Sequence, residues 1–177
     1  MSATPLNSSN VFSTSFPVTV YARPVGSGPQ DWRVLDHGPG YFTIPVGEEA
    51  SVRIHGIGDA DLAKLAADLV GCPAVVELTL AENRKITDSG LEVLRSLTSL
   101  ESLNVSSCDL SNVGVGILAG FRWLRRLNLS YQPRITDTGI KQLRALDNLA
   151  YLDLQGCPKV THGGIARLKR PGLEIHE

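Results

Sequence analysis

The sequence predicts an α/β solenoid, in which short parallel strands stack side by side and each is followed by a helix, behind a β-rich N-terminal cap. The segment 124–140, LRRLNLSYQPRITDTGI, joins the alternation of a strand to the apolar spacing of a helix. Versions of this segment recur about every 25 residues from residue 50 onward. The preceding segment, 17–49, has strand-like alternation interrupted by turn residues instead.

The strand half of the unit is a leucine frame of the form L-x-x-L-x-L. Its last three positions alternate apolar and polar residues, which is the period of a strand with one buried face. Four registered copies of the frame begin at Val75, Leu100, Leu124 and Leu149. A degenerate copy at 52–54 precedes them, and the start of one more strand follows at 173–175.

The helix half begins about six residues after the last strand leucine. From residue 140 to residue 149 every third residue is apolar, which predicts one stripe of a short helix. Thr136 stands where an N-cap is expected, and Asp137 follows in the first turn, where a negative charge suits the helix dipole. Equivalent caps are predicted at Thr87, Ser111 and Thr161. Such a unit cannot bury its own apolar stripe and therefore needs a copy on either side.

The segments ITDSGLEVL (86–94) and ITDTGIKQL (135–143), with Cys108 and Cys157, resemble the cysteine-containing class of leucine-rich repeats found in F-box adaptors and many bacterial repeat proteins. The resemblance covers about two thirds of the chain, and no recognisable F-box precedes the repeats. It implies a curved leucine-rich-repeat solenoid with parallel strands on the concave face and helices on the convex face.

The three cysteines are an odd number without a C-x-x-C pair, which argues against a disulfide framework. Cys72 lies where later repeats place large apolar residues, so we expect it to be a small buried residue. Cys108 and Cys157 share one repeat position with Asn83 and Gln132, and the resemblance implies that this position points inward and bonds the backbone between loops. Two repeats separate the cysteines, about 10 Å at the spacing of parallel strands, which is too far for a disulfide.

Three parts are expected along the chain. Residues 1–16 are rich in Ser, Thr and Asn and predict a flexible leader, with a docking tail or modification site as the alternative. Residues 17–49 predict an antiparallel β cap, and residues 50–177 form the repeats.

The cap is predicted to contain three strands, at 18–21, 32–35 and 41–44. Its function would be to cover the open core of the first repeat. The alternative is a small binding module whose recognition patch is Trp32, Tyr41 and Phe42.

Composition and motifs exclude several classes of function. The net charge of −1 over 177 residues provides no global field for nucleic acid or membrane. No apolar run approaches a membrane span or a signal peptide, so a cytoplasmic location is expected. No catalytic, metal-binding or phosphate-binding motif is present, and we expect no enzyme activity, no metal and no cofactor. A weak basic patch on the convex side remains an alternative for an anionic partner.

The concave face is the predicted binding surface, because alternate strand residues point away from the core. A first column reads Ser51, Glu77, Ser102, Arg126 and Tyr151; a second reads Arg53, Thr79, Asn104, Asn128 and Asp153; a third reads His55, Ala81, Ser106, Ser130 and Gln155. Glu82, Ser107 and Tyr131 are expected at the rim. The predicted partner-binding residues are Arg53, Glu77, Thr79, Ser102, Asn104, Arg126, Asn128, Tyr131, Tyr151 and Asp153.

Tyrosine and arginine are the residue types that most often anchor interfaces, so Arg126, Tyr131, Tyr151 and Asp153 are the expected centre of the site. The predicted function is a protein-interaction module that binds another protein, and the chain is expected to be a monomer. The alternative is a structural segment of a larger sensor or adaptor without its own ligand. An open sheet edge at 173–175 leaves a longer repeat array possible as well.

Overall fold

The computed structural model describes residues 10–177, which form strands, short α-helices and 3₁₀ helices in alternation. The strands are β1 (Val11–Thr14), β2 (Thr19–Pro24), β3 (Arg33–His37), β4 (Gly40–Thr43), β5 (Glu48–Arg53), β6 (Val75–Thr79), β7 (Ser102–Asn104), β8 (Arg126–Asn128), β9 (Tyr151–Asp153) and β10 (Glu174–His176). The α-helices are α1 (Asp59–Leu69), α2 (Asn112–Leu118), α3 (Asp137–Ile140) and α4 (His162–Ala166). The 3₁₀ helices are Pro29–Asp31, Asp88–Ser96 and Lys141–Ala145.

One sheet of eight strands runs through the molecule in the order β10-β9-β8-β7-β6-β5-β2-β3. Strands β5 to β10 are parallel and follow one another in sequence order. Leu78, Leu103, Leu127 and Leu152 are direct partners on adjacent strands, and each is at most 1% exposed. The predicted register is therefore confirmed, together with the solenoid architecture.

The first part of the described chain continues the sheet and covers its end. Strand β2 pairs antiparallel with β5 on one side and with β3 on the other. Strands β1 and β4 form a separate antiparallel pair, in which the rings of Phe12 and Phe42 stack 4.9 Å apart. Both rings are buried in the same apolar cluster as Leu62 and Leu65 of α1. The three cap strands are present within a few residues of the predicted positions.

The predicted flexible leader is wrong where the structure describes it. Residues 1–9 lie outside the described residues, but Val11–Thr14 forms β1, with Phe12 only 4% exposed. This strand forms because Phe12 has an apolar partner in Phe42, which the Ser- and Thr-rich composition around it does not reveal. The division into leader, cap and repeats otherwise stays a prediction.

The helix half of each repeat packs against the buried face of the sheet, opposite the concave face. In α1 the buried stripe consists of Leu62, Leu65 and Leu69, as expected for a 3.6-residue period. Later repeats replace this regular helix with short segments of α-helix, 3₁₀ helix or both, of five to nine residues. Short repeats leave room for only these segments, and tertiary packing rather than helix propensity holds them.

All four predicted N-cap residues stand at the N-cap positions of their helices, and two of them make a capping hydrogen bond with the side chain. The Ser111 and Thr161 side chains accept hydrogen bonds from the first turn of their own helices, at Val113 N and Gly164 N. Thr87 and Thr136 make no such bond. Their hydroxyl groups are instead bonded to the repeat before them.

These bonds form a ladder that joins successive repeats, which we call the Asp–Thr ladder. Asp59 Oδ1 accepts from the Thr87 amide at 2.8 Å, and Asp59 Oδ2 accepts from the Thr87 hydroxyl at 2.6 Å. The same pair of bonds recurs between Asp88 and Ser111 and between Asp137 and Thr161. Between Asn112 and Thr136 the amide bond is the same, but Asn112 Nδ2 donates to the Thr136 hydroxyl. The acidic residue of the I-T-D motif therefore clasps the following repeat in addition to occupying a first helical turn.

The ladder also explains the glycine of the T-D-x-G motif. A Cβ atom on Gly90, Gly114, Gly139 or Gly164 would collide with the Asp59, Asp88, Asn112 or Asp137 side chain of the preceding repeat. In the T-D-x-G motif, the threonine therefore bonds to the preceding repeat and the aspartate accepts hydrogen bonds from the next repeat. The glycine leaves the space that the acceptor of the preceding repeat occupies.

A second ladder lies inside the loops, as the resemblance implied. Asn83 accepts from Ile57 N at 3.0 Å and donates to the carbonyl oxygens of Ile54 and Leu80. The Cys108 and Cys157 thiols donate to Leu80 O at 3.3 Å and Leu129 O at 3.2 Å. All three cysteines are free and buried, and Cys72 is 1% exposed, as expected of a small core residue.

Candidate functional site

A shallow groove of about 240 Å³ lies on the exposed side of the parallel strands. The first and second columns stand in the predicted register across β5 to β9. Eight of the predicted partner-binding residues line the groove: Arg53, Glu77, Thr79, Ser102, Asn104, Arg126, Asn128 and Tyr151. Asp153 and Tyr131 are not among them.

Arg126 and Tyr151 form the centre of the groove. The guanidinium carbon of Arg126 lies 4.1 Å from the centre of the Tyr151 ring, within the range of a cation–π contact. In residues 10–177 Arg126 has no ion-pair partner. The pKa of Tyr151 is raised by burial and then by the nearby Asp153 carboxylate, so its hydroxyl stays protonated at neutral pH. The pair therefore presents a free cation and a neutral phenol together.

A second pair of the same kind stands at the other end of the groove. Arg53 lies 5.1 Å from the ring centre of Tyr21, which comes from strand β2 of the cap. Sequence analysis missed Tyr21, because the alternation at 18–21 identifies a strand but not its partner. Pairing of β2 with β5 places Tyr21 opposite Ser51 and so extends the first column into the cap.

The second column is largely structural. Asn104, Asn128 and Asp153 each accept a hydrogen bond from the amide two residues later, at 2.9, 2.8 and 2.9 Å. These Asx turns end the strands and occupy the side-chain oxygens that a partner would need. Asn128 also donates to Asp153, which is only 9% exposed. Asp153 is therefore a strand-end residue that supports the groove from beside it.

Tyr131 lies at the rim rather than in the groove, so the structure separates it from Arg126 and Tyr151. It lines a different cleft with Arg84, Ser107 and Pro133. Its φ angle is +59°, a left-handed conformation that costs an L-amino acid roughly 1–2 kcal/mol. The predicted four-residue centre of the site is therefore wrong as one cluster.

The cap contributes a further cleft that adjoins the groove. This cleft of about 220 Å³ is lined by Trp32 and Arg23, and it shares Glu77, Ser102 and Arg126 with the groove. Arg23 stacks 4.2 Å from the Trp32 ring centre and pairs with Glu49 at 2.6 Å.

The alternative recognition patch of Trp32, Tyr41 and Phe42 is not supported as one surface. Phe42 is a core residue at 2% exposure, whereas Tyr41 is 67% exposed on β4. Trp32, in the connection between β2 and β3, instead lines the cleft that adjoins the groove.

Residues 96–119 of the sequence match a family model described as a leucine-rich repeat. No curated protein matches the sequence significantly. The chain is similar to solved structures of the Rad7 and Elc1 complex from yeast and of an internalin from Listeria monocytogenes.

The yeast structure aligns with a TM-score of 0.59 and 23% identity over 70% of this chain, and the internalin with 0.52 and 20% over 71%. The chain spans 31% and 38% of the length of those two chains. These likenesses agree with the stacked parallel strands, and the fold is a leucine-rich-repeat solenoid. Within residues 10–177, none of the helices has the length and apolar character needed to cross a membrane.

Proposed function

We propose that this chain is a protein-interaction module that binds another protein in its concave groove, with Arg126 and Tyr151 as the anchor residues. The observation that carries the proposal is the contact between the Arg126 guanidinium and the Tyr151 ring, on a solvent-facing sheet surface. Arginine and tyrosine are enriched among residues that dominate interface energies. Stacking on the ring holds the guanidinium before any partner arrives, which reduces the entropy lost on binding.

The platform beneath the anchors supports the same proposal. Arg126 and Tyr151 stand on adjacent strands whose inward leucines, Leu127 and Leu152, are fully buried. Side chains on a packed sheet hold their positions more accurately than side chains on loops. The neighbouring Trp32 cleft enlarges the surface and adds a second aromatic ring. The Rad7 and Elc1 structure is a complex of two proteins that contains this fold, which is consistent with such a role.

The second candidate is a structural segment of a larger sensor or adaptor. It is favoured by the short span of the chain, 31% and 38% of the two similar solved chains. In that case the groove would be one part of a longer concave surface.

We also propose that the repeats belong to the cysteine-containing class and that the protein is a cytoplasmic monomer that acts by binding rather than by catalysis. The thiols of Cys108 and Cys157 support the first two points, because each donates a hydrogen bond to a backbone carbonyl and must be reduced to do so. Light scattering of the purified chain tests the monomer.

Quantitative affinity capture from the native lysate tests the groove. The double variant Arg126→Ala/Tyr151→Ala is compared with wild type and with Arg144→Ala, which removes an exposed arginine on the 3₁₀ helix Lys141–Ala145. Loss of two anchors is expected to weaken binding of the captured protein by about 2 kcal/mol or more. Equal recovery by all three proteins would contradict the proposal.

A further inference from the structure

The loops that follow the strands share a left-handed backbone position along one edge of the solenoid, which we call the rim. The φ angles there are +78° at Gly56, +65° at Glu82, +54° at Ser107, +59° at Tyr131 and +66° at Gly156. Glycine adopts this conformation without strain, and it stands at the first and last of these positions. Tyr131, like Glu82 and Ser107, is a non-glycine residue that holds this conformation at a cost in backbone strain.

Tyr131 is fixed in place although it is exposed. Its ring lies against the backbone of Gly156, so closely that a Cβ atom on Gly156 would collide with it. The residue is nevertheless 61% exposed, so most of it faces solvent. An aromatic side chain that is already positioned and already exposed loses little entropy when a partner covers it.

The ring borders a cleft of about 430 Å³ that is separate from the concave groove. Arg84, Ser107, Cys108, Asp109, Tyr131 and Pro133 line this rim cleft. Tyr131 and Pro133 supply apolar surface at its mouth, and both are exposed. The cleft shares none of its lining with the groove.

Of the two charged residues that line the rim cleft, Arg84 and Asp109, only Arg84 lacks an ion-pair partner within residues 10–177. Asp109 is already paired with Arg134 at 2.9 Å. Arg84 and the adjacent Lys85 are exposed and have no ion-pair partner in the described part of the chain. Complementary charge on a partner would therefore be negative.

We propose that the rim cleft is a second docking surface, which takes a short acidic segment of a partner protein. An apolar side chain of the segment packs against Tyr131 and Pro133, and a carboxylate faces Arg84, which Lys85 follows in the sequence. The surface differs from the concave groove in all of its lining residues.

The test uses the full chain and a random library of short peptides displayed on phage. Selection is performed on wild type, with depletion on Tyr131→Ser. Serine already holds the same backbone conformation at position 107, so this variant keeps the loop while removing the ring. The selected peptides are expected to be acidic with at least one apolar residue. Their affinity is expected to fall about tenfold or more in Tyr131→Ser and in Arg84→Glu.

Two controls separate the rim cleft from another rim position and from the concave groove. Glu82→Ser changes the equivalent rim position two repeats away and is expected to leave affinity unchanged or slightly higher. Arg126→Ala changes the concave groove and is expected to leave affinity unchanged, so failure of the groove proposal and failure of this one are distinguishable. Thermal melting of each variant confirms the fold, and Arg84→Glu, at an exposed side chain, provides the test if Tyr131→Ser does not fold.

Three results would overturn the proposal. Selection of no peptides would do so, as would peptides whose binding depends on Arg126 but not on Tyr131 or Arg84. Binding of single-stranded oligothymidine that depends on Arg84, in the absence of peptide binding, would assign the cleft to nucleic acid instead.

Discussion

The Asp137 carboxylate accepts two hydrogen bonds from Thr161 of the next repeat, from the amide at 2.8 Å and from the hydroxyl at 2.7 Å. Asn112 and Thr136 make the amide version of the same clasp, in which Asn112 Oδ1 accepts from the amide and Asn112 Nδ2 donates to the hydroxyl. The molecule therefore contains charged and neutral forms of one interaction between repeats.

The first prediction concerns the pH dependence of this clasp. Hydrogen bonds from the Thr161 amide and hydroxyl lower the pKa of Asp137 below its ordinary value of 3.8. A lowered carboxyl pKa stabilises the fold above the unfolded-state value, and that stabilisation is lost as the pH falls through the folded-state value. Asp137→Asn keeps the neutral clasp, so the difference in Tm between wild type and variant should shrink between neutral pH and about pH 2. A difference in Tm that does not change with pH would contradict the conclusion that the Thr161 hydrogen bonds lower the pKa of Asp137.

The second prediction concerns the space that the ladder occupies. Gly139→Ala places a methyl group against the Asn112 oxygen and should destabilise the protein by about 1–3 kcal/mol in urea unfolding, as overpacking does. Gly163→Ala is the matched control, since its Cβ would meet only Thr161 Oγ1 at 3.5 Å. Alanine is the better helix former, so this control should be neutral or up to about 1 kcal/mol more stable. Equal effects of the two variants would show that the clasp does not need the glycine.

The strand register could be predicted from the sequence because it depends on a local pattern. The frame around Leu127 repeats at nearly constant spacing, and burial on one face leaves a single register. The Asp–Thr ladder could not be derived in the same way, since its partners, such as Asp137 and Thr161, lie one repeat apart. The repeated T-D-x-G column was the available signal, because a polar column in a stacked array places identical groups within bonding distance.

The candidate site was predictable in outline only. Arg126 and Tyr151 were correctly expected to be neighbours, because register determines which side chains are adjacent. The Asx turns of Asn104 and Asn128 depend on where each strand ends, which alternation does not specify. The rim position of Tyr131 was expected from its place in the repeat, but its left-handed φ angle, which tyrosine rarely adopts, was not. Glycines at 56 and 156 were the only hint of it.

The third prediction tests the shared core. Leu127 is completely buried between Leu103 and Leu152 on adjacent strands. Leu127→Ala is expected to destabilise the protein by about 2–5 kcal/mol in chemical denaturation, through lost burial and the cavity left behind. Val113→Ala, at a residue that is 65% exposed on α2, should stay within about 0.5 kcal/mol of wild type. A loss below about 0.5 kcal/mol for Leu127→Ala would mean that the register is wrong.

The fourth prediction concerns the chemistry of the buried thiols. Burial raises the pKa of Cys108 to about 12, and burial also raises the pKa values of Cys72 and Cys157. The thiolate is the reactive form, so all three should react slowly with iodoacetamide in the native protein at neutral pH. Unfolding in guanidinium should expose all three to rapid alkylation, as counted by mass spectrometry. Rapid modification of Cys108 in the native protein would contradict its buried position in the second ladder, inside the loops.

Site-specific photocrosslinking tests the central claim of a binding groove most directly. The photoreactive residue p-benzoylphenylalanine is placed at Ser102, which lines the groove beside Arg126 without removing either anchor, and in a second protein at Arg144. Irradiation with the captured partner is expected to crosslink from position 102 and not from position 144. Crosslinking from position 144 alone, or equally from both, would contradict binding in the groove.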